Sequence, residues 1–254
     1  MALVNCIESE LNEVKSQIAK ETQFKSSSLE ELLEYEMNGL DRHLFPAIVL
    51  TIGKITEDNR EVNISLASIF QYVFLAHSIH RLVDKEDVKA STRQYSVLIG
   101  DFLFGQTFYK ICDESLYKYA WEFVKVIETI NEGVIMRWRL KDKTMSAKDY
   151  SIIISKERAA LTRLAGRLAA KVAGLKEPYQ QRIEDFCYSI GMAWAAWEEN
   201  IYTSIVHEYL INAKRYLDEL KDSLPIRPLQ EFFYFFCQGI NQDIKGEELL
   251  LNIK

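Results

Sequence analysis

Residues 94–108 read QYSVLIGDFLFGQTF, a run with one charged side chain, Asp101, and no proline. The run belongs to a longer apolar segment, residues 93–111, which is long enough for several helical turns. A second apolar segment, residues 64–83, precedes it and contains only one charged residue, Arg81. Helices that are apolar on most sides are buried in the core of a protein. We therefore predict two buried helices at the centre of the fold.

The composition predicts an all-α protein. The chain has 254 residues, of which 48% are hydrophobic, and it contains only ten glycines and four prolines. Few turn-forming residues over this length indicate few, long elements, and no segment shows the alternating pattern of a β-strand. We predict one all-α domain over residues 1–254, a helical bundle of roughly ten helices.

Several classes of protein are disfavoured by charge and hydropathy. The formal net charge is −6, whereas nucleic-acid binding requires a basic surface, so no nucleic-acid partner is expected. No uninterrupted apolar run reaches about 18 residues, so a transmembrane helix is not expected. The first residues, MALVNCIESELNEVK, are too polar and acidic for a signal peptide. The four cysteines are far apart and form no CxxC pair, which favours free thiols in a cytoplasmic protein.

The quoted stretch resembles the Gly-Asp helix of trans-prenyl diphosphate synthases, and Gly100-Asp101 is its most specific match. The resemblance extends over roughly residues 30–235 and implies the isoprenoid synthase-type fold. In that family this helix lies near the dimer interface, where small residues let helices approach closely. The resemblance therefore implies interface or structural roles for Gly100, Asp101, Phe104 and Phe108, with Asp101 as a buried hydrogen-bond acceptor.

Three residues are candidates for binding the diphosphate of isopentenyl diphosphate. The stretch RHLFP, which contains Arg42 and His43, resembles the Lys-Arg-Leu-Arg-Pro of the family, although Phe45 replaces the second arginine. Two neighbouring cations suit a diphosphate. Lys156 lies where the family has a diphosphate-binding lysine, with Glu157 in place of a threonine. A solvated side chain is the alternative for each of the three candidates.

The two metal motifs of the family have lost their aspartates in this chain. The first is SIHRL here, so that Arg81 and Leu82 stand where the family has Asp-Asp. The second is IGMAWAAWEENIY, in which Glu198 and Glu199 replace two aspartates. Because Mg²⁺ prefers carboxylate oxygens and an arginine repels it, we predict no catalytic residue. Glu198 and Glu199 are the only candidates for a metal site in the second motif.

Two other metal sites are alternatives from spacing. Asn200, Ser204 and Glu208 lie at i, i+4 and i+8, which would place them on one helix face. The three resemble the second metal motif of class I terpene cyclases. A cyclase also needs a first metal motif, for which Asp84 or Asp87 is the candidate.

The second alternative uses histidine. His77, His80 and Asp84 lie at i, i+3 and i+7 and would also share a helix face, a geometry able to bind a transition metal. Histidines in an apolar helix are, on the other reading, structural.

The chain keeps the sequence around both metal motifs but lacks their aspartates. In this it resembles the small subunit, component 1, of heterodimeric polyprenyl diphosphate synthases. The resemblance implies a regulatory subunit that is inactive alone and holds no cofactor of its own. Its partner would be a large catalytic subunit that carries Mg²⁺ and makes the heptaprenyl or hexaprenyl side chain of menaquinone. A homodimeric pseudoenzyme that binds an isoprenoid without chemistry is a further possibility.

In such a heterodimer the small subunit would complete the interface and help to shape the tunnel for the growing prenyl diphosphate tail. Five phenylalanines are candidates for the core, the interface and the tunnel: Phe70, Phe74, Phe102, Phe104 and Phe108. The sequence alone does not sort them among these three places.

Overall fold

The computed structural model describes residues 2–22, 40–41, 43–56, 59–84, 90–114, 116–141, 143–200 and 203–243. Within these ranges every regular element is helical, so the predicted all-α fold is confirmed. The helices are α1 (Ala2–Glu21), α2 (Leu44–Gly53), α3 (Arg60–His80), α4 (Ala90–Asp113), α5 (Ala120–Arg139), α6 (Ala147–Ile154), α7 (Ala160–Val172), α8 (Glu177–Glu198), α9 (Thr203–Leu220) and α10 (Arg227–Asp243). A π-helical turn, Ser155–Ala159, joins α6 and α7 into one continuous helix.

Helix α3 lies in the core of the bundle. Its residues from Asn63 to Ile79 are all buried, as are all the residues of α2, which packs against it. The segment Arg60–Val83 is long and apolar enough to cross a membrane, but 94% of its most apolar window is buried inside the fold. Burial of this kind is typical of the core helix of a globular domain. The prediction of a buried helix over residues 64–83 is confirmed.

Helix α4 is only half buried, so the prediction that it is a second buried central helix is wrong. Ile99 and Leu103 pack against α3, but the side chains of Leu98 and Tyr109 are 65% and 64% exposed. Apolar composition alone does not show whether the second face of a helix meets its own domain or another protein. The exposed face of α4 therefore lacks a partner within the described part of the chain.

The phenylalanines separate into core and surface. Phe70 and Phe74 are buried in the main core, whereas Phe102 and Phe104 are only partly buried, beside the contact between α3 and α4. Phe108 is 36% exposed on the outer face of α4. The chain thus uses Phe70 and Phe74 to hold its own fold and presents Phe108 on its surface.

Gly100 allows α3 and α4 to pack closely. A Cβ atom at Gly100 would lie 2.1 Å from the ring of His80, which also packs on Phe104. Asp101 lies beside this contact, with its Oδ1 atom 3.3 Å from Nε2 of His80. The Asp101 side chain is 67% exposed, so the expectation that it is a buried acceptor is wrong.

Alanine at Gly100 is expected to lower the free energy of unfolding by about 1–3 kcal/mol, because the His80 ring must move or the helices must separate. Gly105 on the same helix is the matched control, since nothing lies within 4 Å of its added Cβ. Alanine at Gly105 should raise stability by about 0.5–1 kcal/mol through helix propensity. Urea unfolding of the two variants measures both effects. Equal effects of the two substitutions would mean that the close approach of α3 and α4 is unimportant.

Candidate functional site

The π turn between α6 and α7 brings two charged residues into the protein interior. In a π turn one extra residue widens the helix, and such turns are frequent at functional sites. Here the sequence neighbours Glu157 and Arg158 are both buried. Because consecutive residues of an α-helix point about 100° apart, the widened turn helps to place both side chains inside the bundle.

Two glycines allow neighbouring helices to reach this turn. A Cβ atom at Gly133 of α5 would lie 2.8 Å from Cγ of Glu157. A Cβ atom at Gly191 of α8 would lie 2.8 Å from Cα of Ala159. The backbones of α5 and α8 therefore pack directly on the π turn. This packing brings the last turns of α5 and α8 within ion-pair distance of Glu157 and Arg158.

Arg137 of α5 binds two glutamates at once. Its Nε and Nη2 atoms donate to the Glu157 carboxylate at 2.8–3.0 Å, and its Nη1 and Nη2 atoms donate to the Glu199 carboxylate at 2.8–3.0 Å. The Glu157 side chain is 1% exposed. Burial opposes the charge of Arg137, but its hydrogen bonds to Glu157 and the Glu199 charge raise the arginine pKa above its usual value. Arg137 is therefore a firmly charged link between α5, the π turn and the end of α8.

Arg158 holds the other glutamate of the second motif. Its Nη2 atom donates to Oε2 of Glu198 at 2.8 Å, and its side chain is 6% exposed. The guanidinium lies 4.8 Å from the ring centre of Trp194 and 5.4 Å from that of Phe74, a cation–π arrangement. Its Nε and Nη1 atoms are buried and have no hydrogen-bond acceptor among the described residues. Arg158 thus fills the space between Glu198 and two aromatic rings of the core.

Two more basic side chains come from the end of α3. Burial lowers the pKa of Arg81, and the positive charge of Arg158 adds to this effect, while Glu157 opposes it. Burial, followed by the charges of Arg158 and Arg81, lowers the pKa of His77 well below its usual range. His77 is therefore neutral in the fold at pH 7. Arg81, which stands at the position of the lost first motif, adds a positive charge where the family places aspartates.

These side chains form one charge network, which we call the arginine–glutamate network. Its members are Arg81, Arg137, Arg158, Glu157, Glu198 and Glu199. Three positive and three negative side chains give a formal charge of zero without any added ion. Glu198 and Glu199, predicted as the metal candidates, each accept hydrogen bonds from a guanidinium. These residues do not fit a magnesium cluster, because a metal would have to displace both arginines.

The predicted diphosphate-binding residues lie elsewhere or outside the described residues. Nζ of Lys156 is 2.7 Å from Oε2 of Glu132, and both side chains are partly solvent-exposed. The Lys156 ammonium lowers the pKa of Glu132 through a hydrogen bond and its charge. His43 is partly buried at the start of α2, and Arg42 lies outside the described residues. The structure does not bring Lys156 into the arginine–glutamate network.

The cyclase alternative fails on helix geometry. Asn200 has a φ of +49° and lies in the turn after α8, whereas Ser204 and Glu208 are exposed on α9. The three residues therefore do not share a helix face, and the spacing argument that joined them was wrong. The reason is a change of helix between Asn200 and Ser204, which the spacing pattern did not reveal. Asp87 lies outside the described residues.

The histidine alternative also lacks a common site. His77 is buried in the core, while Nε2 of His80 lies 3.2 Å from the carbonyl oxygen of Val97 on α4. The side chain of Asp84 is not described. Within the described ranges, no three His, Cys, Asp or Glu side chains are grouped to hold a metal ion.

Four members of the network, Arg81, Arg137, Arg158 and Glu157, were not predicted as site residues. Arg137 lies in the stretch MRWR and matches no motif, and Glu157 was noted only as the replacement for a threonine. Arg137 is 20 residues from Glu157 and 62 residues from Glu199 along the chain. The only sequence signal was the coincidence of a new acid at Glu157 with a new arginine at Arg81. The two side chains lie close enough for the charge of Glu157 to act on Arg81.

Known proteins with similar sequences are polyprenyl diphosphate synthases. No protein-family model matches the chain. Octaprenyl diphosphate synthase of Escherichia coli (strain K12) is 20% identical over 211 residues, which are 79% of this chain and 65% of the relative. The chain thus spans slightly less than two thirds of the length of this relative.

Solved structures give the same result for the fold. The decaprenyl diphosphate synthase of Rhodobacter capsulatus superposes with a TM-score of 0.74 at 15% identity, covering 96% of this chain and 99% of that one. A deletion mutant of the heterotetrameric geranyl pyrophosphate synthase of mint superposes with a TM-score of 0.69 at 12% identity, covering 90% of this chain and 97% of that one. The fold is therefore that of isoprenoid synthases, and the proteins similar to this chain in sequence and structure include polyprenyl diphosphate synthases.

Proposed function

We propose that this protein is the regulatory, non-catalytic small subunit of a heterodimeric all-trans polyprenyl diphosphate synthase and that it is inactive alone. The observation that carries the proposal is the engagement of Glu198 by Arg158 and of Glu199 by Arg137. These glutamates are the acids that remain in the second metal motif. A chain that keeps the fold and neutralises its own metal ligands is suited to a structural role beside an active partner.

The charge balance supports the proposed inactivity of the chain alone. Ionisation of an allylic diphosphate needs positive charge placed against the leaving group, usually from metal ions held by carboxylates. In this chain the positive charge of Arg137 is already used by two carboxylates, Glu157 and Glu199. Moving Arg137 aside would leave Glu157 buried with no partner, at a cost of several kcal/mol. The chain therefore has no stable way to assemble a magnesium cluster here.

Packing beside the network supports the same proposal. The rings of Phe45, Phe74 and Trp194 contact one another with centroid distances of 5.1–6.0 Å. The Arg158 guanidinium lies against two of these rings. This aromatic cluster and Arg158 are buried, so they fill space next to Glu198 rather than line an open cavity. Tail binding in the complex would then depend mainly on the partner.

The outer faces of α4 and α5 are two apolar helix faces that we propose a partner covers. The exposed apolar side chains are Val97, Leu98, Phe108 and Tyr109 on α4, with Tyr117, Trp121, Val124, Ile135 and Trp138 on or just before α5. Four of the aromatic side chains are more than half exposed, and together they offer on the order of 500 Å². A stable complex buries about 800 Å² on each partner. The two faces supply most of the apolar area that such an interface needs.

The partner we propose is a large catalytic subunit that carries Mg²⁺ and binds the prenyl diphosphate. The mint enzyme of the same fold is a heterotetramer, which shows that this fold is used in mixed assemblies. The heptaprenyl or hexaprenyl product, and its use as the menaquinone side chain, follow from the sequence resemblance. The mild acidity of the chain and its free cysteines are consistent with a place in the cytoplasm.

Product formation from farnesyl diphosphate, labelled isopentenyl diphosphate and Mg²⁺ tests this function. The reaction is run with this chain, with the large synthase subunit from the same genome, and with both together. Long-chain product from the mixture, with none from this chain, is the expected result. Elongation by this chain alone would overturn the proposal, because Glu198 and Glu199 would then hold metal. A cyclic hydrocarbon formed by this chain from farnesyl diphosphate would also overturn it.

A further inference from the structure

We propose that Glu157 and Glu199 form a cation-binding cage and that the Arg137 guanidinium occupies it as a tethered cation. The cage accepts a planar organic cation such as a guanidinium ion, and it is filled by the chain itself. The inference rests on the same Arg137–Glu199 contact as the proposed function, but it is tested by cation binding to a variant, whereas the subunit role is tested by product formation, so the two can fail separately.

The geometry is that of a built site. Glu157 comes from the π turn and Glu199 from the residue after α8, while Arg137 enters from α5. Four of the five N–H groups of the guanidinium donate to these two carboxylates, which bind it as two forks. The carboxylates therefore face one shared position.

The two carboxylates of the cage can stay charged inside the fold only if a cation lies between them. Glu157 is almost completely buried, and an isolated buried carboxylate is strongly disfavoured. If the arginine side chain is removed, two acids remain around an empty volume the size of a guanidinium ion. The folded state is then stabilised when it binds a cation of the same shape from solution. A small divalent cation does not fit this cage, because two carboxylates supply too few oxygen ligands for it.

The test is chemical rescue of the Arg137→Ala variant. Its thermal unfolding is measured in the full chain with millimolar ethylguanidinium chloride, and with sodium chloride at the same ionic strength. We expect a lower melting temperature than in the wild type, partly restored by ethylguanidinium. Above its Kd, each tenfold rise in ligand concentration should raise the folding equilibrium constant about tenfold. A separate arm replaces ethylguanidinium by Mn²⁺, follows the free ion by electron paramagnetic resonance, and should show no binding.

The matched control is Arg139→Ala, an exposed arginine on the same helix turn. It should melt like the wild type and respond to neither cation. If Arg137→Ala does not fold, Arg137→Lys replaces it, because lysine keeps one positive charge in the cage. Its melting temperature should lie below that of the wild type, and ethylguanidinium should raise it only slightly. Equal responses of the Arg137 and Arg139 variants would overturn the proposal. Rescue by sodium chloride alone, or an unchanged melting temperature of the Arg137 variants, would do the same.

Discussion

Replacement of Arg137 by methionine is expected to lower the free energy of unfolding by about 3–5 kcal/mol. Methionine keeps most of the side-chain volume, so the effect isolates the charge and the hydrogen bonds. The loss arises because Glu157, with a side chain that is 1% exposed, is left buried without its cation. Glu199 loses its two hydrogen bonds from the same guanidinium. Urea denaturation followed by circular dichroism measures the change.

The size of this effect separates a buried network from a surface ion pair. Lys156→Met breaks a solvent-exposed pair with Glu132 and should change stability by about 1 kcal/mol or less. A second control, Glu157→Gln in the Arg137→Met background, should recover part of the loss because it removes the unpaired charge. If Arg137→Met and Lys156→Met lower the free energy of unfolding by the same small amount, the arginine–glutamate network does not stabilise the fold.

Replacement of Leu98 and Tyr109 by glutamate is expected to abolish assembly with the proposed catalytic partner. Both side chains are about two thirds exposed, on the outer face of α4. Central interface residues commonly contribute 2 kcal/mol or more each, so the double variant should bind at least about 100-fold more weakly. Long-chain product from the reconstituted mixture should fall in parallel. Surface plasmon resonance with the immobilised partner measures the affinity.

The matched control is Ile211→Glu on α9, where an isoleucine is 60% exposed on a different helix. This substitution introduces the same acid at a similarly exposed apolar position and should leave binding and product formation unchanged. The melting temperature of the double variant should stay close to that of the wild type, because exposed substitutions rarely change stability much. Normal assembly of the double variant would show that the partner does not bind the outer face of α4.

The fold class could be predicted from the sequence, but the environment of the helices could not. In the apolar run 64–83, residues 64–79 are all buried as predicted, whereas the run 93–111 presents half of its surface to solvent. Both runs have similar composition, because a side chain such as Leu98 is apolar whether it meets its own core or a partner. The distinction depends on which helices pack against α4, and that is a tertiary property.

The candidate site shows the same limit. Glu198 and Glu199 could be singled out from their position in a motif, but their role depends on Arg158 and Arg137. The pairs join residues 40 and 62 positions apart, and they form because glycines let α5 and α8 approach the π turn. Spacing arguments assume one uninterrupted α-helix. That assumption failed at Asn200, whose backbone ends one helix before the next begins.

The π turn Ser155–Ala159 has a consequence for the evolution of the chain. A single-residue deletion there would remove the extra residue of the widened turn and restore a regular α-helix, in which neighbouring side chains point about 100° apart. Either Glu157 or Arg158 would then face solvent, and the charge of the interior would no longer balance. Helix length and charge pattern are thus inherited together. Descendants of this chain that keep Arg137 should tolerate many substitutions along α6 and α7, but no change in their combined length.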